Sequence, residues 1–410
     1  MSNRKTTYKL YPNKAQAEAL REMLVLHQRL YNACLEQRIW SFSWQRRVEL
    51  KRELTEQERD QLPNSYYSQA LQLKDIRKAF PEYEALSQKS LELTFQRLDR
   101  AFQNFFRRIK EGKTGEEVGF PRFKSLDRYP GFGFKAHGNG WKFTPGEDFH
   151  HGKLRMKGID GTIRCRGKAR TPGEIKTCEL THRDGVWHLS LTLDCKPLRK
   201  CGKISAGLDW GVSKYATLYP NKGKPKVIDN ALLLKRAEAK LKKHQRDLSR
   251  KVRGSNNRKK QRVVLAKAHW RLANRRRDME HQTTKKLVDK YGLISTEKLS
   301  VKKMTGSAKG TAEKPGKMVK QKAGLNRAIL DTAPGAFMQK LKYKLEEAGG
   351  VWVEVPTRKV KPSQTCPNCG VVEKKTLSQR RHKCGTCGHS ADRDVAAAHV
   401  MLNWALENAA

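Results

Sequence analysis

Long hydrophobic runs are missing from this chain. No stretch approaches the roughly 18 apolar residues that a membrane-spanning helix needs. The opening residues, MSNRKTTYKLYPNK, contain no apolar centre of a secretion signal, predicting an intracellular, cytoplasmic protein. A lipidation motif and an amphipathic anchor are absent as well, which argues against a basic protein working on a membrane surface. Acidic charge is scarce: 41 Asp and Glu stand against 86 Lys and Arg, for a formal charge of +45. So large an excess exceeds what solubility asks for and points to a polyanion, nucleic acid by default. Paired cysteines are scarce too. Cys34, Cys165, Cys178, Cys195 and Cys201 are scattered, which excludes a disulfide scaffold and fits a reducing compartment.

The other four cysteines do form a pattern. Cys366 and Cys369 make one C-x-x-C, Cys384 and Cys387 a second, each in a Gly-bearing turn. Two such knuckles complete a tetrahedral zinc site. Four thiolates leave no open position for water, so this zinc is expected to be structural. His382 and His389 are nearby as substitute ligands, which four thiolates make unnecessary.

Along the chain, Thr6 to Tyr11 reads as a short strand closed by Pro12-Asn13. A helical region follows over 13–118, with Leu20, Met23, Leu24, Leu30, Tyr31, Cys34 and Leu35 at helical spacing. His27 lies on the same stripe, as a hydrogen-bonded core histidine rather than a ligand. Phe95, Phe102, Phe105 and Phe106 read as core packing in preference to a base-stacking platform. Gly119-Phe120-Pro121-Arg122-Phe123-Lys124 breaks the helix, and short strands at period two then run from Phe132 to Cys195, with His182-Arg183-Asp184-Gly185 as a hairpin connection. These predict a small β-barrel over 119–203 that takes the N-terminal strand, residues 1–12, as a member; the helical bundle becomes an insertion in it.

A new unit starts at Ile204, where an apolar strand ends in Asp209, and Gly292 to Glu297 is a second strand ending in a carboxylate. Between them lies a basic helical hairpin, 231–280, with Leu234, Leu241 and Leu248 as its seam. Lys242, Lys243, Arg246, Arg250, Lys251, Arg253, Arg258, Lys259, Lys260, Arg275, Arg276 and Arg277 crowd its outer faces with one sign of charge, the pattern of phosphate contact. Ser300 to Gln321, poor in apolar residues, is expected to be mobile or ordered only on binding nucleic acid. Asp392-Arg393-Asp394 then heads the last helix, as an ordinary cap or as a site acid. If the strands are neighbours, Asp209, Glu297 and Asp394 converge, and clustered carboxylates call for hard divalent cations. Two Mg²⁺ ions in such a cluster hydrolyse phosphodiesters.

GLDWG, STEKL, CPNC, CGTCG and DRD in this order, with YKLYPNKAQ and GFPRFK ahead of them, resemble the TnpB family, insertion-sequence-encoded RNA-guided nucleases related to type V CRISPR effectors. The resemblance implies a multidomain α/β plus β-barrel chain. Its parts would be an RNase H-like RuvC domain over 204–360 and 392–410, a four-cysteine zinc ribbon inserted at 361–391, a wedge barrel and a helical recognition lobe. It implies a prokaryotic protein, one chain per guide RNA transcribed from the transposon end, pairing with double-stranded target DNA as a heteroduplex. It assigns Asp209, Glu297 and Asp394 to the catalytic, Mg²⁺-binding triad, with Asp392 less favoured. The Asn that the family carries two residues past the third acid is here Ala396. Gln88, Lys89 and Glu92 become candidate readers of the motif beside the target, and Arg122 and Lys124 candidate nucleic-acid contacts. Three rivals remain: a catalytically silent RNA-guided repressor, a DNA transposase, and a structural RNA-binding zinc protein.

Overall fold

The computed structural model describes residues 2–169, 171–183, 185–196, 199–311, 313–376 and 379–408. The chain divides into two compact units, Met1–Lys196 and Pro197–Ala410. No helix among the described residues is long and apolar enough to cross a membrane.

In the first unit, strand β1 (Ser2–Tyr11) runs into helix α1 (Lys14–Glu49). The Asn13 side chain accepts from the Gln16 N–H and Gln16 answers to the Asn13 N–H, so Pro-Asn-Lys-Ala-Gln is a complete helix start. Three short helices follow, α2 (Glu56–Gln61), α3 (Tyr66–Leu71) and α4 (Leu73–Ala79), and then the long α5 (Gln88–Lys110). The stretch around Glu49 to Asp60, patternless in sequence, contains α2, started by a Thr55–Glu58 capping box. Six strands come next: β2 (Phe132–Phe134), β3 (Trp141–Pro145), β4 (His150–Met156), β5 (Ile163–Lys168), β6 (Glu174–Arg183) and β7 (Val186–Cys195). In the β6–β7 hairpin Arg183 pairs with Val186; Asp184 lies outside the described residues.

The seven strands form one antiparallel sheet in the order β2-β6-β7-β1-β5-β4-β3. β1 pairs with β7 from Ser2 opposite Cys195 to Lys9 opposite His188, although the whole helical segment separates it from the other strands. The expected barrel is a half-barrel: among the described residues its edge strands β2 and β3 do not pair with each other. Instead of closing on itself, the sheet shares its core with the helices. Leu20, Leu91, Phe95 and Leu98 join Phe132, Phe143, Leu180 and Leu191 in one cluster. His27 is fully buried there, bonded through Nδ1 to Thr94 (2.8 Å) and through Nε2 to Ser90 (3.0 Å), its ring stacked on Phe132. Burial, and then the charge of Arg97, lowers its pKa to about 3, so it stays neutral. Phe95 and Phe102 are core as expected, whereas Phe106 is exposed.

The second unit is built on a five-stranded sheet ordered β10-β9-β8-β11-β12. Its strands are β8 (Ile204–Trp210), β9 (Lys214–Pro220), β10 (Lys226–Asp229), β11 (Tyr291–Glu297) and β12 (Val351–Val355). The first three form an antiparallel meander; β11 and β12 lie parallel to β8. The helical hairpin is α6 (Leu233–Ser249) and α7 (Asn256–Lys290), joined by the cluster of Leu241, Leu265 and Leu272 with Leu234 and Leu248 packed on it. The segment expected to be mobile is instead organised. It holds α8 (Val301–Met304) and a bridge from Gly310 to Pro315, and α9 (Val319–Thr332) begins inside it. The physical reason is polar: Lys322 donates to the Met304 carbonyl and Asn326 to those of Thr305 and Gly306, replacing the apolar contacts the sequence lacks. Helix α10 (Pro334–Glu347) is tied to α7 by an ion pair at 2.6 Å between half-buried Lys340 and buried Glu280. A short α11 (Thr357–Val360), the two-stranded β13 (Arg381–Lys383) and β14 (Ser390–Asp392), and α12 (Arg393–Asn408) complete the chain.

Candidate active site and metal centre

Asp209 is the penultimate residue of β8 and Glu297 the last of β11. The parallel register sets Leu208 beside Thr296, so the two carboxylates occupy the next step of adjacent strands. Asp394 reaches them because α12 packs on β8 with almost no clearance. A Cβ added at Gly207 would stand 1.8 Å from the Ala398 carbonyl oxygen. Only glycine on the strand permits that approach, and the buried Ala396, Ala397 and Ala398 permit it from the helix.

Burial pushes the Asp209 carboxyl well above the ordinary range, and the charges of Glu297 and Asp394 push it further. Glu297 is raised as well, by burial. Glu297 and Asp394 thus stand close enough to oppose the ionisation of Asp209, the electrostatic condition that a divalent cation relieves.

Asp392 behaves differently. Its Oδ1 accepts from the N–H groups of Asp394 (3.0 Å) and Val395 (3.4 Å), and its Oδ2 from Lys214 Nζ (2.9 Å). Burial alone would raise its pKa, but these donors hold it below the usual value. Asp392 is therefore the cap of α12 with both oxygens engaged. Among the described residues Asp394 has only Lys214, at 3.7 Å, which leaves it the freer carboxylate. Lys214, the first residue of β9, escaped the sequence reading, since one lysine among so many carries no signal.

The four cysteines come together in the segment that precedes α12. Their sulfurs all lie within 4.8 Å of one another, with Cys366–Cys387 at 3.7 Å and Cys369–Cys384 at 3.5 Å. A tetrahedral site with Zn–S near 2.3 Å asks for sulfurs about 3.8 Å apart, whereas a disulfide needs about 2 Å. The donor set fits zinc. The Asn368 side chain and then the His389 N–H lower the Cys387 thiol to about 6. The Val371 N–H lowers Cys369 too, yet burial and the neighbouring thiols push it up to about 12, a crowding that a cation removes. His382 and His389 are not among the clustered ligands; His382 meets Lys375. Among the described residues no other group of His, Cys, Asp or Glu, the three acids included, gathers its ligand atoms so tightly.

The basic hairpin residues separate into two kinds. Lys242, Lys243, Arg246, Arg250, Arg253, Lys259, Lys260, Arg275 and Arg277 are exposed. Arg258, in contrast, donates to the Leu248 and Lys251 carbonyls and closes the hairpin turn, and Arg276 holds Asp331 at 2.5 Å; Lys251 is half-buried. On α5, Gln88 and Lys89 both donate to Glu92, which is buried, so these three satisfy one another. The open cleft beside them is lined by Gln96, Arg97, Arg100 and Lys135. Arg122 is exposed and Lys124 half-buried.

Comparison with known proteins places this architecture. Residues 188–308 match the family described as probable transposase of the IS605 OrfB type, and 335–401 match a Cas12f1-like TNB domain. The putative RNA-guided DNA endonuclease InsQ of Escherichia coli K12 is 32% identical over 316 residues, 76% of this chain and 73% of that relative. The chain belongs to the IS605 OrfB family, also called TnpB. A second family member, a putative RNA-guided DNA endonuclease of Streptomyces pristinaespiralis, is 29% identical over 96% of this chain and 87% of its own length. The fold is that of the protein in a Cas12f1–sgRNA–target DNA complex, with a TM-score of 0.59 at 15% identity over 95% of this chain and 83% of that one. Residues 1–46 match a family described as a helix-turn-helix domain. In this TnpB-family chain they form a strand and one continuous helix.

Proposed function

We propose that this chain is an RNA-guided DNA endonuclease of a transposable element. In this reading it uses a guide RNA from the transposon end to find double-stranded DNA beside a short motif, and cuts it in an RNase H-like, RuvC-type site. The names of its relatives and its fold support the reading. The observation that carries it is the Asp209 carboxyl, buried at a strand end and burdened by two neighbouring acids. A polyanion-binding protein gains nothing from that arrangement unless the acids serve cations.

Asp209, Glu297 and Asp394 would hold two Mg²⁺ ions. Bound there, the ions supply the means to activate water and to stabilise the leaving oxygen of a scissile phosphate. The chain does the rest. Asp392 caps α12 and aims Asp394, and Lys214 fixes Asp392. Gly207 sets how near the helix stands. The zinc ribbon anchors the same helix from its other side, because Asn403 donates to the Pro367 carbonyl at 2.9 Å and the Arg393 N–H to that of Arg380. The sheet β1–β7 is assigned as the wedge and the helices of 13–118 as the recognition lobe. Base pairing supplies sequence specificity while the protein holds the heteroduplex by its backbone.

The test is plasmid cleavage with Mg²⁺ by the chain purified with its RNA. Asp209→Ala should abolish cutting while the copurified RNA remains. Cutting that survives the substitution, or a preparation free of any defined RNA, would overturn the assignment.

A further inference from the structure

Resting on that reading of the chain as a nucleic-acid binder, we propose that the loop Gly119–Lys124, with the end of α5, is a stacking site for unpaired nucleobases. The aromatic series of α5 begins in the core, where Phe95 and Phe102 are buried, and then leaves it: Phe106 is 43% exposed, Phe120 44% and Phe123 55%. Phe120 stands edge-on to Phe102 (5.7 Å) and Phe105 (5.1 Å), so its neighbours hold the ring and leave much of it open.

The loop is fixed rather than loose. Asn32 of α1 accepts from the Lys124 N–H (2.9 Å) and donates to the Lys124 carbonyl (3.0 Å), copying a strand pairing; Gln28 donates to the same carbonyl. At the other end Arg108 donates to the Val118 carbonyl at 3.0 Å. Rings that could have folded into an adjacent core are therefore presented to solvent on a rigid frame, the arrangement that lowers the entropy lost on binding.

Charge identifies the occupant. The centre of a protein interface is depleted of charged residues, whereas here Arg122 and Lys124 alternate with Phe120 and Phe123 along the loop. Rings that accept any base face, interleaved with cations that follow a backbone, are the recognition chemistry of single-stranded nucleic acid. An unpaired stretch of RNA and a displaced DNA strand offer the same groups.

The experiment uses the full chain and three probes: a short RNA carrying 5-iodouracil, single-stranded DNA of the same sequence, and the corresponding duplex. Photocrosslinks should map to Phe120 or Phe123 with the single strands and not with the duplex, and the stronger of RNA and DNA names the natural source. Phe123→Ala should weaken single-strand binding about tenfold with the salt slope unchanged, and Phe123→Trp should restore it. Phe123 suits this because among the described residues no ring packs on it, so the fold is spared. Crosslinks confined to other segments while the probes still bind would overturn the stacking site and leave the nucleic-acid reading standing. Failure to bind any probe would overturn both. A change in self-association of the nucleic-acid-free chain on Phe123→Ala would overturn the site in favour of a second copy.

Discussion

Two aspartates two residues apart are ranked in sequence by the family resemblance alone, and hydrogen bonds separate them physically. Asp392 is committed to Lys214 and to the first N–H groups of α12, and Asp394 is not. The strand-end positions of Asp209 and Glu297 were legible because each closes an apolar run; the place of Lys214 was not, because it depends on which strand lies beside Asp392. Removing that ammonium should leave the acid site more negative and the cap less firmly aimed. Lys214→Gln is therefore expected to need about fivefold less Mg²⁺ for half-maximal thermal stabilisation, the effect of roughly 1 kcal/mol from a partly exposed charge pair, and yet to cut more slowly. An unchanged Mg²⁺ requirement would sink this account. His27 makes a second residue-scale prediction. Its native pKa, about 3, lies below its unfolded value, so between roughly pH 6.5 and 3 the unfolded chain binds the extra proton. Stability should then fall on acidification through that window by up to about 1.4 kcal/mol per pH unit. His27→Gln, though less stable at neutral pH, should flatten the slope in a pH series of urea melts.

At the scale of elements, the contact between β8 and α12 carries the site. The sequence showed a strand containing Gly207 and a helix rich in alanine, and it brought their acids together; it held no sign of how closely the two pack, because such contacts join distant segments. Gly207→Ala would place a methyl against the Ala398 carbonyl and lever α12 away. A loss of about 1–3 kcal/mol in the unfolding of Pro197–Ala410 and near-complete loss of cleavage are expected. The ribbon tests the same helix through its own contacts, at Arg393 and Asn403. Stripping zinc with a chelator, or Cys366→Ser, should unfold the ribbon and reduce cutting, while Met1–Lys196 melts unchanged; equal loss in both units would point to global misfolding. Period-two strands were readable because local chemistry dictates them, whereas α2 was not, since a six-residue helix held by the Thr55–Glu58 capping box carries no apolar period. The open edge of the half-barrel was not, since it arises from helices filling the core that a closed sheet would fill alone.

At the scale of the molecule, the charge of +45 announces a polyanion without saying which cations meet it. On the α6–α7 hairpin the structure separates cations that face solvent from cations that hold the fold, and the two should answer different measurements. Each phosphate contact made by Lys243, Arg246 or Arg250 releases counterions, so replacing all three by Gln should reduce the slope of log K against log salt by roughly 2 to 3 for the bound RNA or duplex. Arg258 and Arg276 are spent on the hairpin turn and on Asp331. Arg258→Gln and Arg276→Gln should lower the melting temperature and leave the salt slope where it was. If instead all five substitutions shift the slope alike, the hairpin is one diffuse basic surface. If none does, the phosphates are held elsewhere, and the charge of these helices has to be explained without them.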